Sequence, residues 1–466
     1  MLNGGNCRPF ITGPTPSTVR PHFITINIQF IMNIRRILSG IALSVLTALP
    51  SLATSPVEEQ HQALVNDHKI VFFGEGETPE ADSIRNLVEN FYYDQFRSFQ
   101  DPQAPYFLFM SRDTQLAMGI GGVVRMRGYF DWGGTTGIPG FSTYFIPVKR
   151  DELNRQVLGT TPAGTALFFR VIGRNKRLGS YQLYIEANFN GYQSRDFHLK
   201  KAYAVLNDWT IGYAPSTFGD GAAVAPTVDS SGPTMKMDAT NVLIRYMHHF
   251  RKTGMYVAAS IETPSMTLQT DGTRTAARSE FLPNFAAMVQ YEWATGQHVR
   301  LSGIARFLPY RDLINGRNHQ AVGYGFQFST VFRPVAPLTV YGTVNAGKSY
   351  SNFGGDFLLG KYDLVTDTKN PGKLCTVPGW GYFVGLQYNF TPQLFMSATF
   401  GQGRYLPSTG VEGTDYKYGL YSAVNVFWDV TPRIRFGAEA NLGKRQDFNG
   451  EHGWARRVGA LAQFSF

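Results

Sequence analysis

From Gln115 onward, apolar side chains recur at every second position, and this period constrains the fold more than any other feature of the chain. The final stretch shows it most plainly. Val458, Ala460, Ala462, Phe464 and Phe466 share one face of a strand, while Gly459, Leu461, Gln463 and Ser465 share the other. One face suits lipid, the other a wetter interior, and the sequence finishes on an aromatic residue. The same alternation sets Tyr181, Leu183, Ile185, Ala187 and Phe189 against Gln182, Glu186 and Asn188. It sets Ile434, Phe436, Ala438 and Ala440 against Arg433, Arg435 and Glu439. One alternating strand is equally at home in a soluble sandwich. Recurrence along most of the chain, behind an export signal, points instead to a membrane barrel.

That signal does not begin at residue 1. Met32-Asn-Ile-Arg35-Arg36 supplies a basic n-region, Ile37 to Leu49 an apolar core and Ser51-Leu52-Ala53 a small-residue cleavage site. Residues 1–31 read as an over-extended gene start or an expression extension, and 32–53 as a signal peptide. Beyond it, no apolar run approaches the roughly 20 residues that a spanning helix needs. Only helices and closed barrels satisfy their backbone polar groups in lipid. The expectation is therefore an all-β fold, a closed antiparallel transmembrane β-barrel over 112–466. Before it comes a short acidic periplasmic segment, 54–111, with a helix over 80–99 marked by Ile84, Leu87, Val88, Phe91 and Phe96. Short turns such as Asn207-Asp208 and Ala294-Thr-Gly-Gln297 alternate with mostly longer segments such as 215–237 and 349–378. Sorting of loop length by parity is a barrel property, and the segments count to about sixteen strands.

The formal charge is +9, but 54–111 holds ten acids against three bases, so the remainder is strongly basic. A basic body admits nucleic acid, anionic lipid or anionic solutes, and export argues against nucleic acid. Cys7 falls in the leader, which leaves Cys375 alone and rules out an intrachain disulfide in the processed chain.

The stretch Arg174-Asn-Lys-Arg-Leu-Gly-Ser-Tyr181 forms a hairpin signature. It is followed by Phe197-His-Leu-Lys-Lys-Ala-Tyr203, Gly212-Tyr-Ala-Pro-Ser-Thr-Phe218 and a loop containing Ser231-Gly-Pro233. This order resembles the DcaP-like outer-membrane porins. The resemblance implies a trimeric, roughly sixteen-stranded diffusion channel of the bacterial outer membrane that prefers anionic solutes. It also implies a helical amino-terminal segment, though 54–111 is too short for the long coiled coil of that family.

In such a channel, rings of basic side chains favour anions. Assigning faces by alternation places Arg125, Arg127, Arg170, His198, Lys200, Arg245, Arg300, Arg306, Arg433, Arg435 and Arg457 in the lumen, with Glu186, Glu292 and Glu439 as interior acids. Some of the arginines are expected to pair with the glutamates and brace the wall, because buried charges are normally paired. Loop 215–237 is the candidate constriction, with Phe218, Asp220 and Asp229 as its marked residues. The two aspartates are expected to face Arg125 or Arg245. Arg125 and Arg306 are the positions expected to set selectivity.

Enzymatic readings, a barrel-wall lipase or protease, lack a motif: there is no G-x-S-x-G and no H-E-x-x-H or paired C-x-x-C. No cofactor or metal is implied. The reading is a passive porin rather than an enzyme. A structural or adhesive barrel is the other alternative. The expected partners are small anionic solutes, outer-membrane lipid and two further copies of the chain.

Overall fold

The computed structural model describes residues 56–466, apart from 93, 103–104, 135, 150–151, 154, 190–195 and 270–271. The expected extension 1–31 and signal peptide 32–53 lie outside the described residues. Four short elements come first: α1 (Pro56–Asn66), β1 (Lys69–Phe73), α2 (Ala81–Tyr92) and β2 (Phe107–Ser111). The next strands are β3 (Leu116–Trp132), β4 (Gln156–Thr161), β5 (Ala166–Asn175), β6 (Gly179–Phe189), β7 (Phe197–Leu206), β8 (Trp209–Pro215), β9 (Thr240–Phe250) and β10 (Met255–Glu262). After β11 (Leu268–Gln269) and β12 (Thr275–Ala277) come β13 (Asn284–Ala294), β14 (Gln297–Asp312), β15 (Arg317–Val335) and β16 (Leu338–Lys348). A long loop carries α3 (Gly355–Gly360), β17 (Leu364–Thr366) and β18 (Leu374–Thr376). The last strands are β19 (Pro378–Asn389), β20 (Leu394–Tyr405), β21 (Tyr416–Thr431), β22 (Ile434–Asp447) and β23 (His452–Ser465).

From β3 onward, each barrel strand pairs antiparallel with its neighbours in the wall, β10 with β13 and β16 with β19 across the intervening loops. β4 and β5 share one stave, since both pair with β3, and β12 and β13 share another against β14. The described residues thus form a closed barrel of sixteen antiparallel staves. Closure comes from β23 against β3, from Arg456 opposite Trp132 to Ser465 opposite Val123. This pairing lies well beyond Gln115, on the upper part of β3. The lower part of β3 is already occupied by β2, with Met110 opposite Ala117. β1 adds to β2 in parallel, so part of the acidic segment extends the barrel sheet at its turn-bearing end.

One rim carries turns of two to four residues, such as 207–208, 295–296 and 336–337, and the other carries longer loops such as 133–155, 216–239 and 349–377. The outward face is apolar: Val124, Ile185, Ile244, Val289, Leu301, Phe326, Val384 and Val458 are all exposed. An apolar surface of that extent around a whole sheet belongs in lipid. Their inward neighbours Arg125, Glu186, Arg245, Gln290, Arg300, Gln327 and Arg457 are buried.

The helical segment differs from its expected bounds. The helix ends at Tyr92 rather than near residue 99, and a second helix, α1, precedes it where no period was evident. Ile84, Leu87, Val88 and Phe91 do lie on the inner face of α2. They pack with Leu64 and Val65 of α1 on Leu108, Met110 and Ala117. Phe96 continues the helical spacing only by coincidence, because residues 94–102 leave the helix and run into the lumen. Loop 216–239 also folds inward. Gly381 and Gly403 on the opposite wall make room for it: a Cβ at either would stand 2.3 Å from the Met235 side chain.

Leu301 is 58% exposed on the lipid face of β14. Leu301→Arg is expected to lower stability by about 2–4 kcal/mol if this position lies near the bilayer midplane, read as a shift in the urea unfolding midpoint of the barrel in lipid vesicles.

Candidate functional site in the barrel lumen

Loop 216–239 leaves β8 and crosses the barrel. Phe218 is fully buried, edge-on to Tyr350 and Phe353 with ring centroids 6.3 and 5.9 Å away. Asp220 accepts from Ser329 Oγ at 2.5 Å, lies 2.9 Å from His298 Nε2 and stands 3.5 Å from the Arg300 guanidinium. On the far wall, Ser397 and Asn425 donate to the Pro226 carbonyl, and the backbone N–H groups of Val228 and Asp229 donate to Glu439 at 2.7 and 2.9 Å. The Asp229 carboxylate accepts from the backbone N–H of Phe141 and of Gly232. Neither aspartate therefore faces Arg125 or Arg245 as an ion-pair partner. Asp220 is taken up by His298, Arg300 and Ser329, and Asp229 by backbone donors closer at hand.

Residues 94–102 form a strap that enters the lumen after α2. Phe96 lies 3.8 Å under the Arg245 guanidinium and 5.2 Å from that of Arg300. Phe99 packs on Phe427 at 5.2 Å and on Phe395 at 6.3 Å, beside Arg435. The Gln100 carbonyl accepts from both terminal nitrogens of Arg125, at 3.3 and 3.2 Å, and its side-chain oxygen accepts from Arg127 at 2.9 Å. Gln100 also donates to the carbonyls of Thr227 and Asp229, tying strap to loop. Asp101 accepts from Lys200 at 2.6 Å and Lys201 at 2.8 Å. Burial opposes ionisation of Asp101, yet the two ammonium groups hold its carboxyl well below the usual carboxylate range.

The predicted basic set divides by partner. Arg306 pairs with Asp363 at 2.7 Å and also donates to the carbonyls of Ser349 and Ser265. Arg457 pairs with Asp131 at 2.5 Å, Arg435 with Asp429 at 2.5 Å and Arg433 with Asp67 at 2.8 Å. Arg170 donates to the Phe91 carbonyl and to Gln182, anchoring the end of α2. The bracing carboxylates are thus mostly aspartates from loops, strand ends and the amino-terminal segment. Of the predicted interior glutamates, Glu186 lies 3.2 Å from Lys200, Glu439 holds the loop, and Glu292 accepts from the Gly296 N–H. Arg125, Arg127 and Arg245 have hydrogen-bond acceptors but no carboxylate within ion-pair distance among the described residues. His198 departs from the interior set: it is 57% exposed at the loop rim, 3.8 Å from Asp196.

Lys201 escapes the alternation rule. A β-bulge between Glu186 and Ala187 puts Lys201 opposite Glu186 and Leu199 opposite Ala187, so both lysines reach the same carboxylates. The strap residues were not legible as lumen groups either. The one signal was the acidity of 54–111 set against a basic body.

Next to the strap lies a cavity of about 180 Å³, whose lining includes Arg125, Arg127, Lys200, Lys201 and Lys236 as cations and Asp101, Glu186 and Asp238 as carboxylates. A second space of about 370 Å³ borders α1, Arg97, Arg333 and Arg435, and Ser98 of the strap lines both. His298, Asp220 and Ser329 form the nearest approach to a hydrolytic triad. Ser329, however, donates to Asp220 and not to the imidazole, so the nucleophile–histidine–carboxylate order of a triad is not formed.

Asp363→Ala is expected to cost about 3–5 kcal/mol, because it leaves the Arg306 guanidinium buried and uncompensated. Thermal unfolding of the detergent-solubilised barrel would show the loss.

No protein-family model and no curated protein sequence matches the chain. Among solved structures, the outer membrane channel DcaP of Acinetobacter baumannii superposes with a TM-score of 0.65 at 18% identity, covering 77% of this chain and 99% of that one. The anion-selective porin from Comamonas acidovorans superposes with a TM-score of 0.51 at 10% identity, covering 75% of this chain and 100% of that one. The chain has the closed sixteen-stranded barrel fold of the DcaP outer membrane channel.

Proposed function

We propose that the protein is a porin of the bacterial outer membrane through which small anionic solutes diffuse, narrowed by loop 216–239 and by the strap 94–102. The observation that carries this reading is the 180 Å³ cavity, lined by five cations against three carboxylates, with Arg125 and Arg127 lacking carboxylate partners among the described residues. Guanidinium groups in that state attract carboxylates, sulfonates and phosphates and hold them through paired hydrogen bonds. The barrel from Comamonas acidovorans with this fold is anion-selective, which supports the same assignment. A channel of this kind needs size, charge and hydrogen bonding rather than a reactive group, so the reading is not an enzymatic one.

Within it, Asp101 and the Gln100 carbonyl stand where a passing anion would be held by Lys200, Lys201 and Arg125. The strap then acts as a tethered occupant that a solute must displace or pass. The assembly is proposed as a homotrimer.

Arg125→Glu with Arg127→Glu is expected to move the zero-current potential of a planar bilayer under a salt gradient towards cation preference. An unchanged potential, or a native channel that prefers cations, would sink the anion assignment. Asp101→Ala is expected to raise single-channel conductance by freeing the strap. A conductance equal to that of the native protein would show that the strap is no obstacle.

A further inference from the structure

Apart from Arg311 of β14, the lysines and arginines on the outward face of the long barrel strands lie on one side and near one height. Lys348, Arg404, Lys444 and Arg456 all point outward near the end of the barrel that carries the long loops. The register places them almost level. Lys348 is opposite Tyr324, Arg404 is opposite Trp380 and Tyr418, Lys444 is opposite Trp454, and Arg456 is opposite Trp132. Beneath them the same faces turn apolar, with Val344, Phe400, Leu442 and Val458 exposed. The cations therefore sit where the hydrocarbon belt gives way to headgroups.

Two further observations separate this row from ordinary solvated charge. The outward positions of β15, β16, β19, β20, β21, β22 and β23 hold no aspartate or glutamate, so the row has no carboxylate of its own strands to answer it. None of the four cations makes an ion pair among the described residues. Instead Arg404 lies 5.1 Å over the Tyr418 ring, while Lys444 lies 5.6 Å from the Tyr418 ring and 5.6 Å from the Trp454 ring. Rings in those positions pre-orient the cations without neutralising them. The opposite half of the barrel is different: the outward positions of β5, β6, β8, β9, β10 and β13 carry no lysine or arginine.

We infer that this row binds phosphate groups of lipid headgroups in the outer leaflet. The inference rests on the outer-membrane orientation proposed above. Adjacent strands lie about 4.8 Å apart, so Arg404 and Lys444, two strands apart, stand about 10 Å from one another. One arginine grips a phosphate through two parallel N–H donors and a lysine adds a point charge. A lipid with more than one phosphate therefore fits the row better than a singly charged one. Charge complementarity at headgroup depth favours lipid over a protein partner, because the acyl chains of the same molecule would cover the apolar residues directly beneath.

The test uses the full barrel in dodecylmaltoside, titrated with bisphosphorylated lipid A, with the dephosphorylated form of the same lipid and with inorganic phosphate. Native protein is expected to retain the bisphosphorylated lipid at least about tenfold more tightly than the dephosphorylated one, and Arg404→Gln with Lys444→Gln to lose most of that difference. Arg311→Gln, a loss of charge outside the row, is expected to leave it unchanged. Equal binding of the two lipids overturns the inference, as does undiminished binding by the double variant. Inorganic phosphate displacing the lipid at equal concentration would make this a free-phosphate site and overturns it too. Slower migration on heating in gels verifies that each variant is folded. Bilayer conductance and selectivity of the double variant are expected to match the native channel, since the row faces away from the lumen. A failure of the porin reading is therefore seen in a different measurement from a failure of this one.

Discussion

Every backbone N–H and C=O that crosses a bilayer must find its partner within the protein, and the rest of this structure depends on that constraint. It is met by closing the ladder, with β23 returning to β3 so that no edge faces lipid. Closure has a second consequence. The inward face of every stave is enclosed, and each charge placed there loses most of its water. The lumen must then supply its own counter-charges or meet the charges with neutral hydrogen-bond acceptors.

The chain does both, at different positions. Arg306, Arg433, Arg435 and Arg457 are matched by Asp363, Asp67, Asp429 and Asp131. The Arg306 and Arg433 pairs fasten the long loop and the amino-terminal segment to the wall, and the Arg435 and Arg457 pairs link neighbouring strands. Arg125 and Arg127 are met by carbonyl and amide oxygens instead, which satisfy hydrogen bonds without cancelling charge. The difference between a bracing arginine and one met only by neutral oxygens thus lies in the partner that the tertiary fold delivers, since residue type and inward face are the same in both groups.

The strap shows how a short segment acquires a role inside a barrel. Residues 54–111 are too few to form a separate folded plug of ordinary domain size. They need not, because α1 and α2 rest on the barrel's own end and only residues 94–102 go in. Phe96 and Phe99 supply the packing and Asp101 the charge.

Strand period, faces, loop parity and closure were legible because a strand repeats every two residues and lipid rewards only one face of it. Val124 outside and Arg125 inside follow from that rule alone, as does the burial of Arg245, Arg300 and Arg457 on the inward face. The helix end, Lys201 and the exposure of His198 did not follow. A one-residue bulge reverses parity beyond it, a helical spacing can persist by chance into an extended segment, and a rim position is wetter than its face suggests. The sequence by itself determined the barrel, its lipid belt and its basic interior, since these are consequences of local period and composition. Only the tertiary structure decided which arginines are neutralised, that the strap occupies the lumen, and that loop 216–239 reaches the far wall. Those outcomes join residues of different elements, as far apart as Asp67 and Arg433, and no local pattern records which of them will meet.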